Sequence, residues 1–177
     1  MIIKEFDMDY AKKMLVKMKG AKFVNIERYL DIIYFYFSNE ENEYPHLELN
    51  VCCTLSLRDG KNVILGWGDL FRLPSGVNRK DIPWSDETGL IYDFTVQGSN
   101  MFDEIIDRDI MPNLHSFIVS EYSFNELGDL MIYFKNGYEL LFRIDVSATR
   151  ECWRYFDTRD YDTFIAVTGQ GIHLDAE

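Results

Sequence analysis

At 177 residues the chain is long enough for one domain with a substantial core, and 47% hydrophobic with 15% aromatic residues excludes a disordered one. Thirty Asp and Glu against eighteen Lys and Arg leave a net charge of −12, a field that repels phosphate backbones and disfavours nucleic acid as a partner. Three cysteines make no disulfide framework, and no apolar stretch suits a signal peptide or a bilayer span, so reduced thiols in a cytoplasmic protein are expected.

In chain order, Asp7 can cap a helix through Met8, Ala11, Met14, Leu15 and Met18, ended by Gly20. Its Lys12, Lys13 and Lys17, with Lys19 and Lys22 beyond, form the one basic cluster of the chain and suit a solvated helix side. Phe23 to Tyr29 and Leu30 to Phe37 read as consecutive strands, followed by an acidic loop from Asn39 to Glu43. Residues 47–57 then alternate strictly, with Leu47, Leu49, Val51, Cys53, Leu55 and Leu57 on one side, which predicts a strand with one buried face. Within it the neighbours Cys52 and Cys53 should point to opposite faces. A three-residue turn, Arg58-Asp59-Gly60, would set Leu55 opposite Val63 and Val51 opposite Trp67.

Residues 68–89 are a long irregular connection whose Phe71, Leu73, Ile82 and Trp84 are apolar enough to pack against the domain. Leu90 to Val96 is a candidate strand. Ser99 or Asn100 then caps a short helix through Phe102, Ile105 and Ile106, ended before Pro112. A strand from Phe117 to Phe124 precedes the strongest hairpin, residues 128–144. There a three-residue loop of Lys135, Asn136 and Gly137 pairs Phe134 with Tyr138, Ile132 with Leu140 and Leu130 with Phe142, keeping one face apolar. Residues 149–156 read as helical or a tight turn, and Phe164 to Thr168 as a closing strand before the turn Gly169-Gln170-Gly171.

The pattern predicts a single α+β domain over residues 1–177, mainly antiparallel sheet, with an N-terminal helix and a short internal one. Residues 21–67 and 115–146 share a strand order, with Leu30-Asp31-Ile32 matching Gly128-Asp129-Leu130 and Leu47-Glu48-Leu49 matching Tyr138-Glu139-Leu140, as an internal duplication, or a coincidence between two β-meanders, would leave.

Several stretches resemble a group of uncharacterised bacterial proteins: Leu49-Asn50-Val51-Cys52, Gly60-Lys61 with Leu65-Gly66-Trp67-Gly68-Asp69-Leu70, Gly128 to Gly137, Glu151 to Phe156, and Val167 to Ile172. The group's tryptophan and arginine after the first motif are replaced here by Thr54 and Leu55. The resemblance implies no activity. By analogy with small acidic proteins that neutralise toxins, it suggests an immunity-type role.

Catalytic and cofactor signals are thin. His46, His115 and His173 are scattered, His46-Leu47-Glu48 offers at most half a metal site, and neither a nucleophile elbow nor a phosphate loop is present. The candidate partner-binding residues are Glu40, Glu41 and Glu43 with Asp157, Asp160 and Asp162, a negative patch for a basic protein. Trp153 and Phe156 are expected to anchor this segment to the sheet while Glu151 and Arg154 pair three apart on a helix; the alternative joins Trp153 and Arg154 to the patch as an exposed hot-spot pair. A non-enzymatic acidic binder of a basic, toxin-like protein is therefore the expected function. The alternative is a small-molecule module or enzyme with a pocket between the sheet and residues 68–89, and homo-oligomerisation through a sheet edge is compatible with both.

Overall fold

The computed structural model describes residues 8–40, 45–85, 89–90, 92–147 and 149–173. Asp7, Glu41 and Glu43 lie outside them, as does the side chain of Asp162. A short helix, α1 (Met8–Leu15), buries Ala11, Met14 and Leu15, tightens into a 3-10 turn over Val16–Met18 and ends at Gly20, whose φ of +85° suits glycine.

Three strands follow as a meander, β1 (Lys22–Tyr29), β2 (Ile32–Ser38) and β3 (Leu47–Val51). Next come β4 (Thr54–Arg58) and β5 (Val63–Gly66), then an excursion holding the two-residue strands β6 (Trp84–Ser85) and β7 (Gly89–Leu90). Asn100 caps α2 (Met101–Ile105) by accepting from the Asp103 amide, and the helix widens into a π turn over Ile106–Ile110 before a 3-10 turn over Met111–Ser116. A second meander, β8 (Val119–Phe124), β9 (Leu130–Phe134) and β10 (Glu139–Arg143), precedes β11 (Glu151–Asp157), β12 (Asp160–Thr168) and β13 (Gly171–His173).

Eleven of these strands build two antiparallel sheets, in the orders β1-β2-β3-β11-β12-β13 and β5-β4-β10-β9-β8, and β6 pairs with β7 alone. Each meander is extended by the strands that follow the other meander, β11 to β13 in the first sheet and the β4–β5 hairpin in the second. The sheets meet through an aromatic layer. Phe23 stacks on Phe134 at 6.2 Å between ring centroids, Phe35 meets Phe142 at 5.3 Å, and Trp153 meets Phe124 edge-on at 5.7 Å. At one corner the main chain joins them too, since Phe23 N–H donates to Phe117 O and Val119 N–H to Ala21 O.

The hairpin at 128–144 has the expected register, with Ile132 opposite Leu140 and Leu130 opposite Phe142. Phe134 N–H bonds Tyr138 O around the three-residue loop, and Gly137 takes φ +88°. The Asp59-Gly60 turn differs. Leu57 faces Leu65 and Arg58 faces Val63, leaving a four-residue loop from Asp59 to Asn62 and a bulge at Ile64. Asp59 Oδ1 accepts the Lys61 and Asn62 amides at 3.0 and 2.8 Å, which favours the wider loop, and the bulge returns Leu65 to the apolar side. Trp67 therefore opens a 3-10 turn instead of facing Val51.

The alternating stretch 47–57 keeps its six apolar residues inside, none more than 3% exposed. It is nevertheless two strands. Val51 pairs with Ile33 and Trp153 in one sheet, whereas Thr54 pairs with Arg143 in the other. Cys52 and Cys53 make the crossing, Cys52 donating its N–H to Cys152 O and its thiol to Glu151 O.

Residues 149–156 also depart from expectation. They enter β11, not a helix, because Trp153, Tyr155 and Asp157 alternate inward with period two. The 68–89 connection leaves Phe71 60% and Trp84 65% exposed, although both were expected to pack. Of the expected strand from Leu90 to Val96, the described residues retain only Leu90 in a strand. Burial also places the two meanders one residue out of step with the sequence match at Asp31 and Asp129: Ile33 and Phe35 point inward in one, Leu130 and Ile132 in the other.

Two glycines with positive φ should respond differently to alanine. At Gly137 a Cβ meets nothing within 4 Å, but at Gly128 it would stand 2.5 Å from Val167 Cγ1 and 3.3 Å from Ile144 Cγ1. Chemical denaturation of Gly137→Ala should show a loss of about 1–2 kcal/mol from backbone strain, and Gly128→Ala a clearly larger loss because overpacking adds about 1–3 kcal/mol.

Candidate functional site

The acidic patch expected from sequence forms in part and is then cancelled from within. Glu40 and Asp157 do become neighbours, joined by Arg159, whose guanidinium reaches Asp157 at 2.8 Å and Glu40 at 2.5 Å. Asp157 is buried and also takes Lys17 Nζ at 3.2 Å, so it is no open contact residue. Its hydrogen bonds from Arg159 hold the carboxyl well below the usual range. Asp160 is exposed beside Tyr10, whose pKa it helps raise after burial. His46 is buried with its ring on Asn39 at 2.7 Å, and no group of three His, Cys, Asp or Glu able to hold a metal exists among the described residues.

Of the two expected anchors, Trp153 reaches the core and Phe156 faces out. Trp153 is fully buried, with Nε1–H donating to Gly128 O at 2.8 Å, and cannot be a surface hot spot. Arg154 points the other way, over the Phe164 ring at 4.6 Å, and donates to Glu151 Oε2 at 2.6 and 3.2 Å. The pair spaced three apart forms as expected, but a bulge between Glu151 and Trp153 brings both side chains to one face of a strand.

A second polar centre sits at the end of β1. Arg28 Nε and Nη2 grip the Asp103 carboxylate at 2.8 and 2.5 Å, both side chains being almost wholly buried. The remaining guanidinium hydrogens go to Leu30, Thr95 and Val96 carbonyls, and Gly98 N–H caps Asp103 Oδ2 at 2.7 Å. This clamp holds the 93–100 segment and the Leu30 turn, where φ is +57°, against the sheet. The cleft beside it, about 340 Å³, is lined by Glu27, Gln97, Asp103 and Asp107 among others. Every acceptor and donor of the pair is occupied, which marks it as scaffold.

The third centre is the outer surface of the six-stranded sheet. Register lays Glu27, Tyr34, Asn50, Arg154 and Ala166 in one row across the strands, and Asn25, Tyr36, Glu48, Phe156 and Phe164 in the next. The described helices pack chiefly against β12, the β4–β5 hairpin with the turn after it, and the β1 edge. Tyr34, Tyr36, Glu48, Asn50, Arg154, Phe156 and Phe164 all remain half-buried. Tyr34 and Tyr36 stack at 6.5 Å. Glu48 lies between Tyr36 and Phe156, with Asn50 as its hydrogen-bond partner and no Lys or Arg within ion-pair distance among the described residues. Burial is the main cause that pushes its carboxyl above the usual range, with Glu27 adding to it. Asn50 Oδ1 is buried without a hydrogen-bond partner among the described residues. Sequence had assigned Glu48 to half a metal site; the rows of outward residues become visible only once the strand order is known.

Two antiparallel sheets with a terminal and an internal helix define an α+β protein. No family model, curated protein or solved structure matches the chain.

Two stability measurements follow from these contacts. Asp103→Ala strands a buried guanidinium and should cost about 3–5 kcal/mol, whereas Arg28→Met with Asp103→Leu should recover part of that loss. For Glu48, a folded-state pKa above the unfolded value means that ionisation opposes folding. Its contribution turns unfavourable as pH rises through that window and remains so at pH 7. Glu48→Gln should therefore raise the thermal midpoint at pH 7 and leave it nearly unchanged below the ordinary carboxylate range.

Proposed function

We propose that this chain is a non-enzymatic acidic protein of immunity type that binds a basic, toxin-like protein in the cytoplasm through the outer face of its six-stranded sheet. One observation carries the reading: a half-buried carboxylate, Glu48, without a counter-charge among the described residues, set in an aromatic surface on a chain of net charge −12. Retaining such a group costs stability in the free protein, and a cation supplied by a partner would repay that cost. Tyrosines and an arginine around a desolvated centre are the residue types that dominate interfaces. The overall charge would speed encounter with a basic surface. The acids at 40 and 157 take no direct part, since Arg159 and Lys17 already neutralise them. No described helix is long and apolar enough to cross a membrane, and all three cysteines are unpaired, which suits a reducing compartment.

Affinity capture from the cell of origin with the full chain at low salt should recover a protein of net positive charge, released as salt rises. Tyr34→Ala should weaken its capture about tenfold, as loss of an interface aromatic does. An empty capture, or an acidic partner indifferent to Tyr34, would remove the reading.

A further inference from the structure

Building on the reading of this face as a binding surface, we infer that its anchor is a single arginine side chain of the partner, seated on Glu48 between the rings of Tyr36 and Phe156. The register decides the shape of the seat. Tyr36 and Phe156 occupy the strands on either side of β3, both directly opposite Glu48. Adjacent strands lie about 4.8 Å apart, so the two side chains flank the carboxylate about 10 Å from each other, room for one planar group with a ring on each side.

The chemistry of the seat is all acceptor. The Glu48 carboxylate has a hydrogen bond from Asn50 and no cation among the described residues. Asn50 Oδ1, two residues along the same face of β3, is closed off from solvent and has no hydrogen-bond partner among the described residues, so the acceptors open to a ligand are the Glu48 carboxylate oxygens. Glu27 adds negative charge behind Tyr36, whose hydroxyl donates to it at 3.3 Å. A ligand that satisfied this set would bring several N–H groups and a positive charge, and an anion would meet repulsion from both carboxylates. A guanidinium fits better than an ammonium because its planar fork can serve both oxygens of one carboxylate while its faces lie against aromatic rings.

The same sheet already holds such an arrangement made from its own residues. Arg154 donates Nε and Nη2 to Glu151 while its guanidinium lies over Phe164. Glu48 with Phe156 presents the corresponding carboxylate and ring on adjoining strands, without the arginine. Tyr36 supplies a second wall that the Arg154 arrangement does not need. Charge complementarity therefore selects the occupant of this face, which no described helix covers.

The test titrates the 15N-labelled full chain with N-acetyl-arginine methylamide, and with the lysine and citrulline counterparts, while following backbone amides by NMR. Arginine should shift Tyr36, Glu48, Asn50 and Phe156 saturably at millimolar concentration. Lysine should shift them less, and citrulline, which keeps the shape but loses the charge, should leave them unmoved. Glu48→Gln should cut the arginine affinity at least tenfold with the rest of the spectrum unchanged. No response, a response elsewhere, or equal responses to arginine and citrulline would overturn the inference. So would undiminished arginine binding by Glu48→Gln. A captured basic partner that binds Glu48→Gln as tightly as the native chain would sink the arginine seat and leave the acidic-binder reading standing. Saturable arginine binding at these amides with no basic partner captured would do the reverse.

Discussion

The parity of side chains along a strand governs this molecule. Two sheets can share a core only if every strand keeps its apolar residues on the inner side, and a strand alternates with period two whatever sheet it belongs to. The crossing at Cys52 and Cys53 respects that rule: Leu47 to Val51 face the core from one sheet and Cys53 to Leu57 from the other. Wherever an extra residue enters, a bulge absorbs it. One lies between Phe23 and Asn25, one at Ile64 and one between Glu151 and Trp153. Each returns the next apolar side chain to the interior, Ile26, Leu65 and Trp153 in turn.

Parity also creates the outer surface. Once Trp153 and Tyr155 are committed to the core, Arg154 and Phe156 must face out, beside Asn50 and Glu48 of β3 and Tyr34 and Tyr36 of β2. A face of this composition is neither a core nor an ordinary solvated surface. Its aromatic rings shield the polar groups between them enough to raise the Glu48 carboxyl and to bury Asn50 Oδ1. Elsewhere the chain neutralises its shielded acids, Asp103 with Arg28 and Asp157 with Arg159 and Lys17. Glu48 departs from that habit, having no Lys or Arg within ion-pair distance among the described residues while burial raises its carboxyl, and the functional reading grows from it.

Local chemistry at the turns explains why similar sequences behave differently. Asn136-Gly137 closes over three residues and leaves the register of its arms intact, whereas Asp59 gathers two amides on one carboxylate oxygen and opens its turn to four. Gly128 shows a tertiary constraint on a residue that reads locally as a turn. Its carbonyl holds the Trp153 indole and its α-carbon lies against Val167, so the two sheets meet at a position with no room for a side chain.

Sequence by itself determined the fold class, the first helix, the short helix after Asn100, the strands between 23 and 37, the inward side of 47–57 and the register of the 128–144 hairpin. All of these rest on periodicity or contacts between near neighbours. Only the tertiary structure decided that 47–57 serves two sheets, that 149–156 enters a strand, that Phe156 faces out and that Asp157 is neutralised. Those outcomes depend on residues about a hundred positions away, such as Glu151 beneath Cys52 or Lys17 on Asp157. The row that sets Glu48 between Tyr36 and Phe156 belongs to the same class. A chain read one residue at a time shows which side of a strand faces out, but strand order alone says which outward residues become neighbours.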